Sequence, residues 1–147
     1  MQGVAAWTKS RWLAVIIPGI LFGLMHIANP EVGKYGLWVA MTNYIIIGFF
    51  FGLVAVLDDG IELLIGMHAA NNISACLFIT FDVDVLPSPA LFRQHEMNAG
   101  VDTIPLTVAG IMAVVFFARK YKWDFRVMNK KVKSLPTLET EAEIETS

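Results

Sequence analysis

Apolar residues in this chain fall in long unbroken runs. Trp12 to Ala28 carries no charge, and Leu37 to Leu57 is uncharged over 21 residues. Ile61 to Phe81 is apolar apart from Glu62, His68 and a few small polar groups. Ile104 to Ala118 is shorter and also uncharged, and needs Val101 and Tyr121 as interfacial extensions. A helix needs roughly 20 apolar residues to cross the hydrocarbon of a bilayer. The pattern therefore predicts an all-α polytopic membrane protein with four transmembrane helices. Asp58-Asp59-Gly60 reads as a tight turn that makes a hairpin of the second and third spans. Asp82 to Asp102, with Pro87, Pro89, Gly100 and mixed charges, reads as the one long loop.

Composition agrees with these spans. Of the 147 residues, 56% are hydrophobic and 16% charged, and the mean hydropathy is +0.59. Soluble domains carry about 45–50% and about 25% respectively. The net charge of −2 is unevenly distributed. Seven of the eleven Lys and Arg lie between Arg119 and Lys133, while four of the thirteen acids lie from Glu139 onward. No broad basic face exists for nucleic acid. Lys9 and Arg11 precede the first span and the basic run follows the fourth, so the positive-inside rule puts both termini in the cytoplasm. The chain divides into a transmembrane domain, 1–121, and a basic then acidic cytoplasmic tail, 122–147, expected to be partly disordered. The single cysteine, Cys76, excludes an internal disulfide.

Polar residues inside a membrane need a partner or a purpose. Here they repeat: Met25-His26-Ile27-Ala28-Asn29 closes the first span, and Met67-His68-Ala69-Ala70-Asn71 lies within the third. Phe22 and His26 share a helix face, as do His68 and Asn72, with Asn71 nearly beside them. Small residues at Gly66, Ala69, Ala70 and Ser74 suggest close helix approach around this site. Neutral imidazole binds zinc or accepts a proton, and a carboxamide donates to a developing oxyanion. Two histidines and an asparagine, with a carboxylate, would suffice for water activation and amide hydrolysis. Glu62, the one acid within a span, points away from the His68 face and reads as a favourable acid at a helix N-terminus. By counting along the helices, His26 lies near the end of its span and His68 deeper, a difference of about 10 Å.

At these residues the chain resembles the CAAX protease and bacteriocin-processing (CPBP, or Abi) intramembrane proteases. Phe22-Gly23-Leu24-Met25-His26 matches their Phe-x-x-x-His motif, and His68-Ala69-Ala70-Asn71-Asn72 their His-x-x-x-Asn/Asp motif. The resemblance covers roughly Gln2 to Phe92. The family's Glu-Glu-x-x-x-Arg motif has no counterpart, since no Glu-Glu pair occurs in the chain. The segment Met1 to Arg11 resembles the stretch just after that motif, so the chain is expected to be a C-terminal portion of the family domain. The resemblance implies an intramembrane endopeptidase of a bacterial cytoplasmic membrane, surrounded by lipid and acting on a peptide or prenylated peptide. It implies that His26 and His68 bind a divalent metal such as zinc or polarise the carbonyl, that Asn72 serves the oxyanion, and that Phe22 and Asn71 shape the substrate pocket. Two other readings stand beside it: a non-catalytic binding or chaperone-like membrane protein on the same fold, which the missing glutamates favour, and a small transporter subunit using the His and Asn groups as a polar path.

Overall fold

The computed structural model describes residues 1–84, 86 and 88–132; the acidic end of the tail lies outside them. The order of elements is α1 (Gln2–Thr8), α2 (Arg11–Met25), α3 (Pro30–Tyr35), α4 (Leu37–Leu57), α5 (Glu62–Phe78), β1 (Ile79–Phe81), β2 (Phe92–Gln94) and α6 (Ala99–Tyr121), followed by a 3₁₀ turn at Phe125–Asn129. Helix dominates, as the apolar runs predict. Among the described residues two helical stretches, Leu37–Leu57 and Gly100–Tyr121, are long and apolar enough to cross a membrane.

Four full spans are not shown among the described residues. The first run yields a helix of only 15 residues and the third one of 17. Helix α2 stops at Met25 because the chain turns through His26 to Asn29 and meets Pro30, whose ring disfavours helical backbone in the residue before it. Pro30 instead opens α3, where its fixed φ suits the first helical position. Helix α5 stops at Phe78 because Ile79 to Phe81 pairs in parallel with Phe92 to Gln94. Two of those three residues, Ile79 and Thr80, are β-branched and suit a strand. The loop returns to the end of α5 through Leu91 N–H donating to the Leu77 carbonyl and the Ser88 hydroxyl donating to that of Cys76. A short strand pair thus interrupts the expected all-α architecture. The fourth run gains instead: α6 begins at Ala99, where the Asn98 side chain accepts from Gly100 and Val101 N–H.

The principal packing is α2 against α4. Val15, Ala14, Val54, Ala55, Met41 and Phe51 are buried there. The seam is built where Gly19 and Gly48 face each other, with Gly52 against Val15 and Gly23 against Ile45 and Met41. A methyl carbon at Gly48 would stand 2.6 Å from the Gly19 carbonyl oxygen, and one at Gly52 would stand 3.1 Å from that of Val15. Such close backbone approach is how apolar helices gain dispersion contacts where lipid leaves little hydrophobic drive. The small residues of α5 do something different from what their size suggested. Nothing lies within 4 Å of a methyl carbon placed on Gly66, and Ala69, Ala70 and Ser74 are exposed. Close approach belongs to α2 and α4, whose glycines face each other. The small residues of α5 face outward, and no residue of that helix is fully buried.

Polar bonds fasten the remaining elements. The Thr103 hydroxyl of α6 donates to the Asn43 carboxamide oxygen of α4 at 2.8 Å, and the Phe50 ring fills the space over Gly110. The turn Asp58-Asp59-Gly60 closes the α4–α5 hairpin, with Asp59 at φ 54°. Glu62 is the first residue of α5 and accepts from the Ile61 N–H, as an acid at a helix N-terminus should. Past α6 the chain folds back on the bundle. The Trp123 indole donates to Asp58, the Trp12 indole donates to Asn129, and Met128 is buried. Trp7 and Trp38 stay exposed at opposite helix ends, as interfacial aromatics do.

Candidate functional site

The site forms where the end of α2 meets α4 and α5. Phe22 sits one helical turn before His26 and projects between α4 and α5. Its ring packs on both motif histidines, with centroids 4.5 Å from His26 and 5.6 Å from His68. His68 also packs on Phe51 of α4 at 5.3 Å, and His26 stacks on Tyr44 of α4 at 4.3 Å with 24° between the planes. Tyr44 and Phe51 lie about two turns apart along α4, which at 1.5 Å per residue is about 10 Å. The two imidazoles thus pack against different turns of α4, and the Phe22 ring touches both. No ring contact joins the two imidazoles directly.

The position of His26 at the end of α2 settles its tautomer. Its Nδ1 lies 2.6 Å from the Phe22 carbonyl oxygen. A carbonyl only accepts, so Nδ1 carries the hydrogen, and in the neutral ring the lone pair belongs to Nε2. His68 lies mid-helix in α5 and is half-buried; Asn72 is half-buried one turn later on the same face, and Asn71 is exposed. The Met-His-x-Ala-Asn echo is thus no structural repeat. One copy caps a helix and turns away, and the other continues through one. Their asparagines also differ. Asn29 Nδ2 donates to the Tyr44 hydroxyl at 2.8 Å and to Glu31 Oε1 at 3.3 Å, whereas Asn71 makes no hydrogen bond among the described residues.

Glu31 is the residue that the pattern of apolar runs missed. It lies outside every run, in the Pro30-Glu31 start of α3, and reads as an ordinary loop acid. In the fold it is 5% exposed, and the Tyr44 hydroxyl donates to its Oε1. Its Oε2 is buried without a partner. The one available signal was the sequence Asn29-Pro30-Glu31, a helix start that turns the first residues of α3 back toward the neighbouring bundle.

The donor set can be tested against a metal. A catalytic zinc takes three protein ligands. Among the described residues no three His, Cys, Asp or Glu side chains cluster in that way. His26 and His68 share a neighbour and not a ring contact, so these residues by themselves do not complete a zinc shell. Two surface clefts lie elsewhere. One runs along α6 past Ile111, Phe116 and Arg119, and the other lies between α1 and the start of α5 and includes Arg11 and Glu62. Neither touches the histidines. What joins the motif residues is the ring contacts through Phe22 and the hydrogen bond that fixes the His26 tautomer.

A second polar cluster ties α3 to the strand pair. Asp82 Oδ2 accepts from Lys34 at 3.3 Å, and Asp82 lies 3.0 Å from His95 Nδ1. The hydrogen bond from His95, and then the one from Lys34, hold the Asp82 carboxyl below its ordinary value of 3.8. A carboxyl whose value is depressed by folding contributes stability above its unfolded value and loses it as pH falls through the folded one. Acidification below about pH 4 is therefore expected to loosen this clasp. A lower protection factor at Phe92 to Gln94, the exchange rate corrected for the intrinsic rate at each pH, is the readout. Asp82→Asn should lower protection at neutral pH and remove the acid dependence; equal protection factors at pH 7 and pH 3 in the unmodified protein would refute the expectation.

Comparison with known proteins shows the family. Residues 1–74, half of the chain, match the family described as "Type II CAAX prenyl endopeptidase Rce1-like". The chain belongs to that family. All the site residues named above, Phe22, His26, Glu31, Tyr44, His68, Asn71 and Asn72, fall within the matched part. A Bacillus subtilis (strain 168) protein described as "Uncharacterized protein YyaK" is 36% identical over 126 residues, covering 83% of this chain and 42% of the relative. The chain thus spans less than half the length of that relative. No solved structure matches it.

Proposed function

We propose that the chain carries the histidine half of an intramembrane endopeptidase site and hydrolyses a peptide bond of a membrane-anchored, prenylated chain. The observation that carries this reading is the contact of one ring, Phe22, with both motif histidines, in a chain of the Rce1-like family. His26 offers a free Nε2 lone pair in a fixed tautomer. It is the group to accept a proton from the attacking water and later return it to the leaving amine. His68, held against Phe22 and Phe51, is the group that faces the scissile carbonyl. Asn72, one turn beyond it, donates to the oxyanion. Phe22 forms the apolar floor between them, where a substrate's acyl or prenyl portion would lie. Apolar α4 and α6 anchor this site in the bilayer, and the basic residues beyond α6 hold the termini on the cytoplasmic side.

The test is cleavage in membranes. Membranes containing the protein are expected to shorten a prenylated peptide ending in Cys-a-a-X, with product mass as the readout, and to leave the unprenylated peptide intact. Verified insertion with no cleavage of either peptide would overturn the reading.

A further inference from the structure

We infer that Glu31 is a positioning residue for His26, acting through Tyr44. Three elements converge to make this link. Glu31 stands in the first turn of α3 and is 5% exposed. Its Oε1 accepts from the Tyr44 hydroxyl of α4, and Asn29 Nδ2, just before α3, reaches both groups. The Tyr44 ring then lies flat on the His26 imidazole, 4.3 Å between centroids and 24° between planes. The Phe22 carbonyl holds Nδ1 at the opposite constraint, so the imidazole is fixed both by an in-plane hydrogen bond and by a stacked face.

The network is not what stability alone would build. The second Glu31 oxygen, Oε2, is buried with no partner. Buried polar atoms are normally satisfied, and an unpaired carboxylate oxygen costs stability. What Glu31 adds is an acceptor for the Tyr44 hydroxyl, which fixes the tyrosine ring where it stacks on His26; glutamine at this position would keep that acceptor. Firm placement of a side chain that supports a reacting group is worth rate, because small displacements of that group are costly. Glu31 touches neither His26 nor, by its burial, any substrate. It acts through a neighbour.

The catalytic consequence of this link rests on the hydrolytic reading above, while the geometry can be tested without it. The protein has three histidines, so their ring protons are separable by nuclear magnetic resonance in the full chain in detergent micelles. The stacked Tyr44 ring shifts the His26 ring protons upfield. Glu31→Ala is expected to lose that shift, as Tyr44→Leu does, with the His95 resonance unmoved. Glu31→Gln is expected to keep it. Tyr44→Phe, which removes one oxygen and keeps the ring, is expected to reduce it. In a cleavage assay Glu31→Ala should lower kcat by about 10–100-fold, the range known for outer partners of catalytic ligands, with KM unchanged and recovery in Glu31→Gln. An unmoved His26 resonance in folded Glu31→Ala, or in Tyr44→Phe should the alanine variant fail to fold, would overturn the inference. So would unfolding of Tyr44→Phe, which would make the network a requirement of the fold. Absence of cleavage by the unmodified protein would count against the hydrolytic reading alone, since the resonance shift still decides the role of Glu31.

Discussion

Replacing either His26 or His68 with alanine is expected to abolish cleavage of a membrane-bound substrate while the protein still inserts and folds. Loss of a positioned proton-transfer group typically costs about 10²–10⁴ in rate. The fold should survive because neither imidazole carries much of it. His26 sits past the last turn of α2, half-buried, and its alanine variant gives up one hydrogen bond to Phe22, about 1 kcal/mol. His68 belongs to α5, a helix with no fully buried residue, so its removal opens no closed cavity. His95 is the internal control. It is largely exposed, bonds to Asp82, and lies outside the site, so His95→Ala should cleave at the normal rate. Cleavage by His26→Ala and His68→Ala at wild-type rates would remove both from the mechanism. Loss in His68→Ala alone would place the chemistry at the Phe51 side of Phe22.

The second large effect is expected at Gly48. Leucine there must place its Cβ 2.6 Å from the Gly19 carbonyl oxygen, 3.0 Å from the Gly19 Cα and 3.1 Å from the Phe22 Cβ. Two of these neighbours are backbone and cannot rotate aside, so α2 and α4 must separate. Overpacking of this kind costs about 1–3 kcal/mol, and more where the backbone has to shift. The displaced element carries Phe22 and His26 together, so the variant should lose the Phe22–His68 and His26–Tyr44 contacts and its activity together. Gly66→Leu is the matched comparison, because open space surrounds that position. Thermal unfolding in detergent reads both: a clear fall in midpoint for Gly48→Leu and little change for Gly66→Leu. Equal midpoints would mean that the glycine seam does not hold these helices together.

Much of this protein follows from local order in the chain. The uncharged runs determine which segments become helices, because backbone groups among apolar side chains must satisfy one another within the segment. The turn at Asp58-Asp59-Gly60, the acid at the start of α5 and the two histidine motifs can each be read from a few neighbouring residues. So can the sharing of a face by Phe22 with His26 and by His68 with Asn72, since helical periodicity depends on nothing distant. Family membership follows from the same local motifs.

What lay beyond the sequence was every relation between elements. Helix lengths were decided by tertiary partners: α5 yields Ile79 to Phe81 to a strand only because Phe92 to Gln94 returns to pair with it. Glycines at 19, 48 and 66 look alike in the chain. Two of them face a neighbouring backbone and one faces open space. The two histidine motifs share a residue pattern, yet one ends a helix and the other runs through one, and only the placing of α5 beside α2 and α4 brings His68 to the Phe22 that already lies one turn before His26. Glu31 is the plainest case. As a loop acid between spans it resembles any solvated charge, and its burial against Tyr44 arises from how α3 folds over α4. Periodicity and charge act over a few residues. The meeting of α2, α3, α4 and α5 depends on shape complementarity between segments far apart in sequence, and that is decided only when the chain is packed.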